Sequence, residues 1–158
     1  MFDIFFLASL LLGVSNTPAK VSVDKEKVLE RHNYYRNLVG VEDLQYSEEC
    51  AEFAQSWAES LAKKDRGLYH SDSEKYGENV FWASYNASVE EAIEEWAFER
   101  KYFNKKTRKY TSKAGHYSQM VWRDTKFVGM GAARSKSGGV YWVASYYPPG
   151  NWQGEKAY

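Results

Sequence analysis

Apolar and polar positions along this chain follow two periods. Val28, His32, Tyr35 and Val39 recur at helical spacing after Asp24, which predicts a first helix with Asp24 as its N-cap. Ser47 is placed to cap a second helix. Glu48 and Glu49 complement its dipole, and Cys50, Phe53, Ala54, Trp57, Ala58 and Leu61 make its apolar stripe. Lys63 and Lys64 suit its last turn, with Gly67 ending it or following shortly after. Ser88 and Glu91 form a capping box for a third helix running to Phe103, with Val89, Ala92, Ile93, Trp96, Arg100 and Phe103 on one face. Elsewhere the pattern changes to strands: Glu78 to Ala83, Phe127 to Arg134 and Val140 to Tyr147. The last two are joined as a hairpin through Ser135-Lys136-Ser137-Gly138-Gly139. Gly115 opens a short further helix. Helices before, between and beside these strands predict an α+β fold, a small, mostly antiparallel sheet covered on both faces.

Polar residues interrupt the apolar faces at a few places. Glu99 falls three residues after Trp96 and four before Phe103, where a carboxylate is costly unless paired. His116 sits in the first turn after Gly115, with Gln119 and Met120 on its side. His70 and Glu78 flank a turn that leads into Val80-Phe81-Trp82. A histidine among Tyr, Met, Val and Trp reads, by itself, as a hydrogen-bonded core residue. His70 and His116, however, both fall in segments with oddly placed acids, whereas His32 lies on a helical core face.

Four motifs now form an ordered set: His32-Asn33-x-x-Arg36, Gly77-Glu78-Asn79-Val80, Gly115 to Thr125, and Tyr146-Tyr147-Pro148-Pro149-Gly150-Asn151-Trp152. Together they resemble the CAP superfamily, which comprises cysteine-rich secretory proteins, antigen 5 venom allergens and pathogenesis-related class 1 proteins. The resemblance runs from about Lys25 to Trp152. It implies a three-layer α-β-α sandwich and a structural role for His32. It carries the family's cavity tetrad over to His70, Glu78, Glu99 and His116. Glu99 is chosen over Glu94 and Glu95 because it follows the helix tryptophan by three residues, as in the family. Two imidazoles and two carboxylates are a ligand set for zinc or a similar divalent ion. None lies at a local two-ligand spacing, so only the fold can gather them.

Composition narrows the picture. A length of 158 residues suits one domain, and Lys plus Arg equals Asp plus Glu at 21 each. No like-charge field points to nucleic acid. Residues 1–15 read as a secretory leader, an apolar run too short to span a bilayer, with cleavage after Ser15. An uncleaved anchor is the alternative. A short lead (16–24), a single CAP domain (25–152) and a C-terminal tail (153–158) follow. The expected protein is thus secreted and extracellular, not integral to a membrane, and Asn86-Ala87-Ser88 is an N-glycosylation sequon. Cys50 is the sole cysteine, so it either fills the core or links two chains into a dimer. Most secreted CAP proteins carry several disulfides. With Ala144 where the family usually has cysteine, this chain is similar to the cysteine-poor Golgi-associated branch, which lacks a signal peptide. The basic run Lys105-Lys106-Thr107-Arg108-Lys109 reads as a solvated loop, with anionic lipid headgroups or glycans as the alternative.

Two function classes follow. The first is a non-enzymatic binding module for a lipid or sterol, with a divalent metal in the tetrad cavity. Phe81, Trp82 and Tyr85 supply aromatic surface for the ligand, although core packing would use them too. The second is a metal-dependent hydrolase or protease using the same tetrad. Ser71, Ser84 and Ser118 lie near the candidate histidines in sequence, yet none sits in a nucleophile elbow, and each reads as a cap or turn hydroxyl.

Overall fold

The computed structural model describes residues 18–158, so the leader expected over 1–15 lies outside the described residues. The chain runs β1 (Ala19–Lys20), α1 (Lys25–Asn37), β2 (Gln45–Tyr46), α2 (Glu48–Lys64), β3 (Gly77–Ala83), α3 (Val89–Phe98), α4 (Gly115–Met120), β4 (Phe127–Arg134) and β5 (Val140–Tyr147). Two 3-10 turns, Glu99–Tyr102 and Ser112–Ala114, flank the loop between α3 and α4. The expected caps all form. Asp24 accepts from the Lys27 amide at 3.1 Å and Ser47 from the Cys50 amide at 3.2 Å. Ser88 and Glu91 close a reciprocal box at 3.2 and 2.7 Å.

The sheet has the order β1-β4-β5-β3, with every neighbour antiparallel, and β2 pairs in parallel with the start of β4. Strand alternation divides two cores. On one face α2 presses Ala54, Ala58 and Leu61 against Val80, Ala133, Tyr141 and Val143. Gly129 and Gly131 make that approach possible: a Cβ on them would come within 2.2 Å of the Ala51 amide nitrogen and 2.3 Å of the Gln55 backbone. On the other face α1, α3 and α4 bury Val28, Ile93, Trp96 and Met120 over Val128, Met130, Trp142 and Tyr146. The architecture is the expected three-layer α-β-α sandwich.

Several details differ from the sequence expectations. Gly67 follows shortly after the end of α2, one of its two expected places, and the left-handed cap itself falls to Asp65 at φ 48°. The third helix changes to 3-10 turns at Glu99, and Arg100 is exposed over the Tyr35 ring instead of belonging to the apolar stripe. Strands β1 and β2 are too short to show a period. Residues 153–158 are tied into the fold: Ala157 is fully buried, its amide donates to the Arg108 carbonyl at 2.8 Å, and its carbonyl accepts from the Arg123 amide at 2.7 Å.

Candidate functional site

A buried polar frame positions the site. His32 Nδ1–H donates to the Val28 carbonyl at 2.8 Å, leaving Nε2 to accept from the Tyr146 hydroxyl at 2.8 Å. Asn79 joins this pair to α4, donating to Tyr146 Oη and to the His116 carbonyl, both at 3.1 Å. Burial, with the Arg36 charge beside it, lowers the His32 pKa to about 4, so the ring stays neutral. Arg36 is equally buried. It donates to the carbonyls of Glu42, Met120, Trp122 and Thr125, and burial lowers its pKa to about 10. Asn33 exchanges two bonds with the Leu44 backbone. The first motif is therefore a clamp holding α1 against the segment that carries His116, which agrees with the structural role expected of His32.

The other motifs are close-packing devices. A Cβ on Gly77 would meet Gln119 Oε1 at 2.1 Å, and one on Gly150 would meet Trp122 at 2.5 Å. Gln119 donates to Thr125 Oγ1 at 3.2 Å and accepts from the Gly150 amide at 3.0 Å. Asn151, left-handed at φ 61°, accepts from Ser118 Oγ at 2.6 Å and donates to the Gly115 carbonyl at 2.8 Å.

The four tetrad residues form two pairs. Glu99 Oε1 accepts from His116 Nδ1–H at 2.8 Å, while Oε2 accepts from the His116 amide at 2.8 Å and the Tyr117 amide at 3.4 Å. Glu99 thus caps α4, which has no side-chain cap of its own, and orients the His116 ring, which stacks on Trp96 at 6.3 Å. Glu78, 94% buried at its side chain, accepts from His70 Nδ1–H at 2.7 Å and from the Ser71 amide at 3.0 Å. Its Oε2 is buried with no partner. The hydrogen bond to Glu78 raises the His70 pKa, against a smaller opposing contribution from burial.

In both pairs the carboxylate holds Nδ1, an arrangement that leaves Nε2 as the ligand nitrogen. The donor types suit zinc. Among the described residues, however, no three His, Cys, Asp or Glu side chains stand close enough to hold one ion. The set as it stands does not close a four-coordinate site.

The remaining candidates scatter. Phe81 packs on the core under α1 and α3, and Trp82 leans on Tyr141. Tyr85 is exposed and donates to Glu91 at 3.1 Å. These three rings share no single wall. Asn86 stands in the turn before α3, accepting from Arg134. Cys50 is only 2% exposed and is not bridged, and burial raises its pKa. A pocket of about 340 Å³ lies above it, walled by Tyr46, Tyr76, Phe127 and Tyr147, with Glu49 and Lys75 at its mouth. Sequence reasoning missed this pocket because its walls come from four separate segments.

A three-layer sandwich with two carboxylate-held histidines beside a short glycine-led helix defines the class of protein. Residues 29–146 match the profile of the cysteine-rich secretory protein family, and the chain belongs to that CAP family. It is 36% identical over 157 residues to pathogenesis-related protein 1 of Arabidopsis thaliana, covering 99% of this chain and 95% of that protein. It is 38% identical over 128 residues to the human (Homo sapiens) Golgi-associated plant pathogenesis-related protein 1, covering 79% and 82% respectively. The crystal structure of NaASP2 with Zn2+ superposes with a TM-score of 0.70 at 26% identity, over 84% of this chain and 83% of that one. No described helix is long and apolar enough to cross a membrane.

Proposed function

We propose that this protein is a secreted, non-enzymatic binding module that holds a lipid or sterol. The observation that carries this reading is the aromatic pocket over Cys50, whose volume of about 340 Å³ suits a small apolar ligand. Four ring-bearing walls and one ion pair at the rim offer apolar contact with a polar end. Catalysis has no comparable support. Ser118 Oγ donates to Gly115 O and to Asn151 Oδ1, and each ring Nδ1 in the pairs is held by a carboxylate. No nucleophile stands beside a histidine base among these contacts.

Protein purified from its natural secretion route should retain an extractable sterol or fatty acid, identified by mass spectrometry, and Tyr147→Ala should lose it. Divalent-metal binding by His70, Glu78, Glu99 and His116 is the second part of the proposal, and it requires the two pairs to draw together on the ion, since they do not close a site as they stand. Calorimetric zinc titration should show weaker binding in His116→Ala with the fold intact. Peptide or ester turnover abolished by chelator would replace the binding reading with the hydrolase one.

A further inference from the structure

The turn between β3 and α3 holds a motif that neither the pocket over Cys50 nor the tetrad uses. Asn86-Ala87-Ser88 is the sole Asn-x-Ser/Thr triplet in the chain. Its backbone is firmly placed. The Ala87 amide donates to the Tyr85 carbonyl at 2.9 Å, closing a three-residue turn with Asn86 at its apex. Ala87 is buried, and its carbonyl accepts from Trp142 Nε1 at 3.1 Å. On the other side Ser88 caps α3. Between these anchors Asn86 itself is exposed.

The Asn86 side chain is divided in a way that suits attachment. Arg134 can only donate, so the atom facing it is Oδ1. Nδ2 makes no hydrogen bond among the described residues. An N-linked sugar replaces one hydrogen of Nδ2 and leaves Oδ1 an acceptor, so the Arg134 contact survives modification. Position within the sheet matters as well. Arg134 pairs with Val140 at the start of β5, whereas Tyr147 at the other end of β5 walls the aromatic pocket. Val140 and Tyr147 stand roughly 23 Å apart along the strand.

We propose that Asn86 carries an N-linked oligosaccharide, which covers the neighbouring Tyr85 ring and leaves the pocket over Cys50 open. Tyr85 is 57% exposed, and its bond to Glu91 holds it at the first turn of α3, beside the attachment point. In the transfer, Nδ2 attacks C1 of an oligosaccharide carried on a polyisoprenyl diphosphate. The C1–Nδ2 bond forms as the C1–O bond to the diphosphate breaks. The amide gives up one proton, and the lipid diphosphate leaves. This inference rests on the secretion reading, because that donor is met on the export route.

The test is expression of the full chain in eukaryotic cells, with its own leader and, in parallel, with a leader of proven export. Peptide N-glycosidase should remove the mass of one oligosaccharide from the exported protein and leave the Asn86 peptide deamidated. Asn86→Gln should abolish that shift completely. Ser88→Thr keeps both the triplet and a capping hydroxyl, so it should retain the shift. Hydroxyl-radical labelling of Tyr85 should be lower in the sugar-bearing protein than in Asn86→Gln. Trp152, 53% exposed and beyond the far end of β5, should label equally in both. Export without sugar, sugar that survives Asn86→Gln, or equal labelling of Tyr85 would overturn the proposal. Retention of the chain with its own leader, alongside glycosylated export with the other, would overturn the secretion reading and leave the site standing.

Discussion

Two polar regions of this molecule use the same residue types to opposite ends. In the frame around His32, both ring nitrogens, the Arg36 guanidinium and the Asn79 amide find partners at full burial. In the tetrad, each histidine uses Nδ1 and leaves Nε2 without a hydrogen bond among the described residues, while Glu78 Oε2 is buried and orphaned. A complete network specifies structure, since every unmade bond would cost free energy. An incomplete one keeps valences available for something else. Exposure separates them as well, because the His70 side chain is 64% exposed. Residue identity alone does not distinguish the two regions, but the count of unfilled valences does.

The largest test of that contrast is Arg36→Ala. It removes the donors of four carbonyls, at least three of them in buried bonds. The expected loss is about 4 kcal/mol of folding stability, measured by urea unfolding. A loss near that of a typical surface substitution would mean that the frame does not hold the fold. The same change in the tetrad, His70→Ala, should cost less, about 1–2 kcal/mol, because the ring is exposed and the buried Glu78 carboxylate keeps its bond from the Ser71 amide.

Acid provides a second test, on the same frame. The folded-state pKa of His32 is depressed to about 4, below the 6.5 of the unfolded chain. Between these values the unfolded state binds a proton that the folded state refuses. Stability from this site is therefore complete above pH 6.5 and falls as pH drops toward 4, by about 3 kcal/mol in total. Unfolding free energies across that window should lose this share of their slope in His32→Gln. An unchanged slope would show that some other group controls the acid response.

Much of this was legible in the chain. Strands β4 and β5 match the expected runs at both ends, because each is a continuous run buried on both faces and bounded by polar, glycine or proline turn residues. The caps at Asp24, Ser47 and Ser88 were readable because capping depends on local chemistry. What escaped depends on distant partners. Arg36 on a helix face looks like a surface cation until the loop carbonyls close over it. Glu99 looked like a residue of α3 that needed a charge partner. Its observed role of capping the next helix could be read only once the 3-10 turns had carried it there. The pairing of His70 with Glu78 and His116 with Glu99 followed from the resemblance and from the rule that buried acids need partners. How the two pairs stand to one another was not written in any local pattern.

Glu99 belongs to both regions at once, which makes it the smallest and sharpest test. One oxygen caps α4 through the His116 and Tyr117 amides, and the other holds the His116 ring. Glu99→Ala removes both and should cost about 1–2 kcal/mol, the usual value of a helix cap. Glu99→Gln keeps a carbonyl oxygen for the cap, so its loss should be under about 1 kcal/mol. Its amide group, however, can only donate to Nδ1, which forces the ring proton onto Nε2. The variant should therefore look native by thermal unfolding while nitrogen NMR reports the switched tautomer of His116. Zinc affinity, where present, should fall with it, because a protonated Nε2 cannot ligate. If Glu99→Gln leaves the tautomer unchanged, the carboxylate does not orient His116, and its place in the tetrad reduces to that of a helix cap.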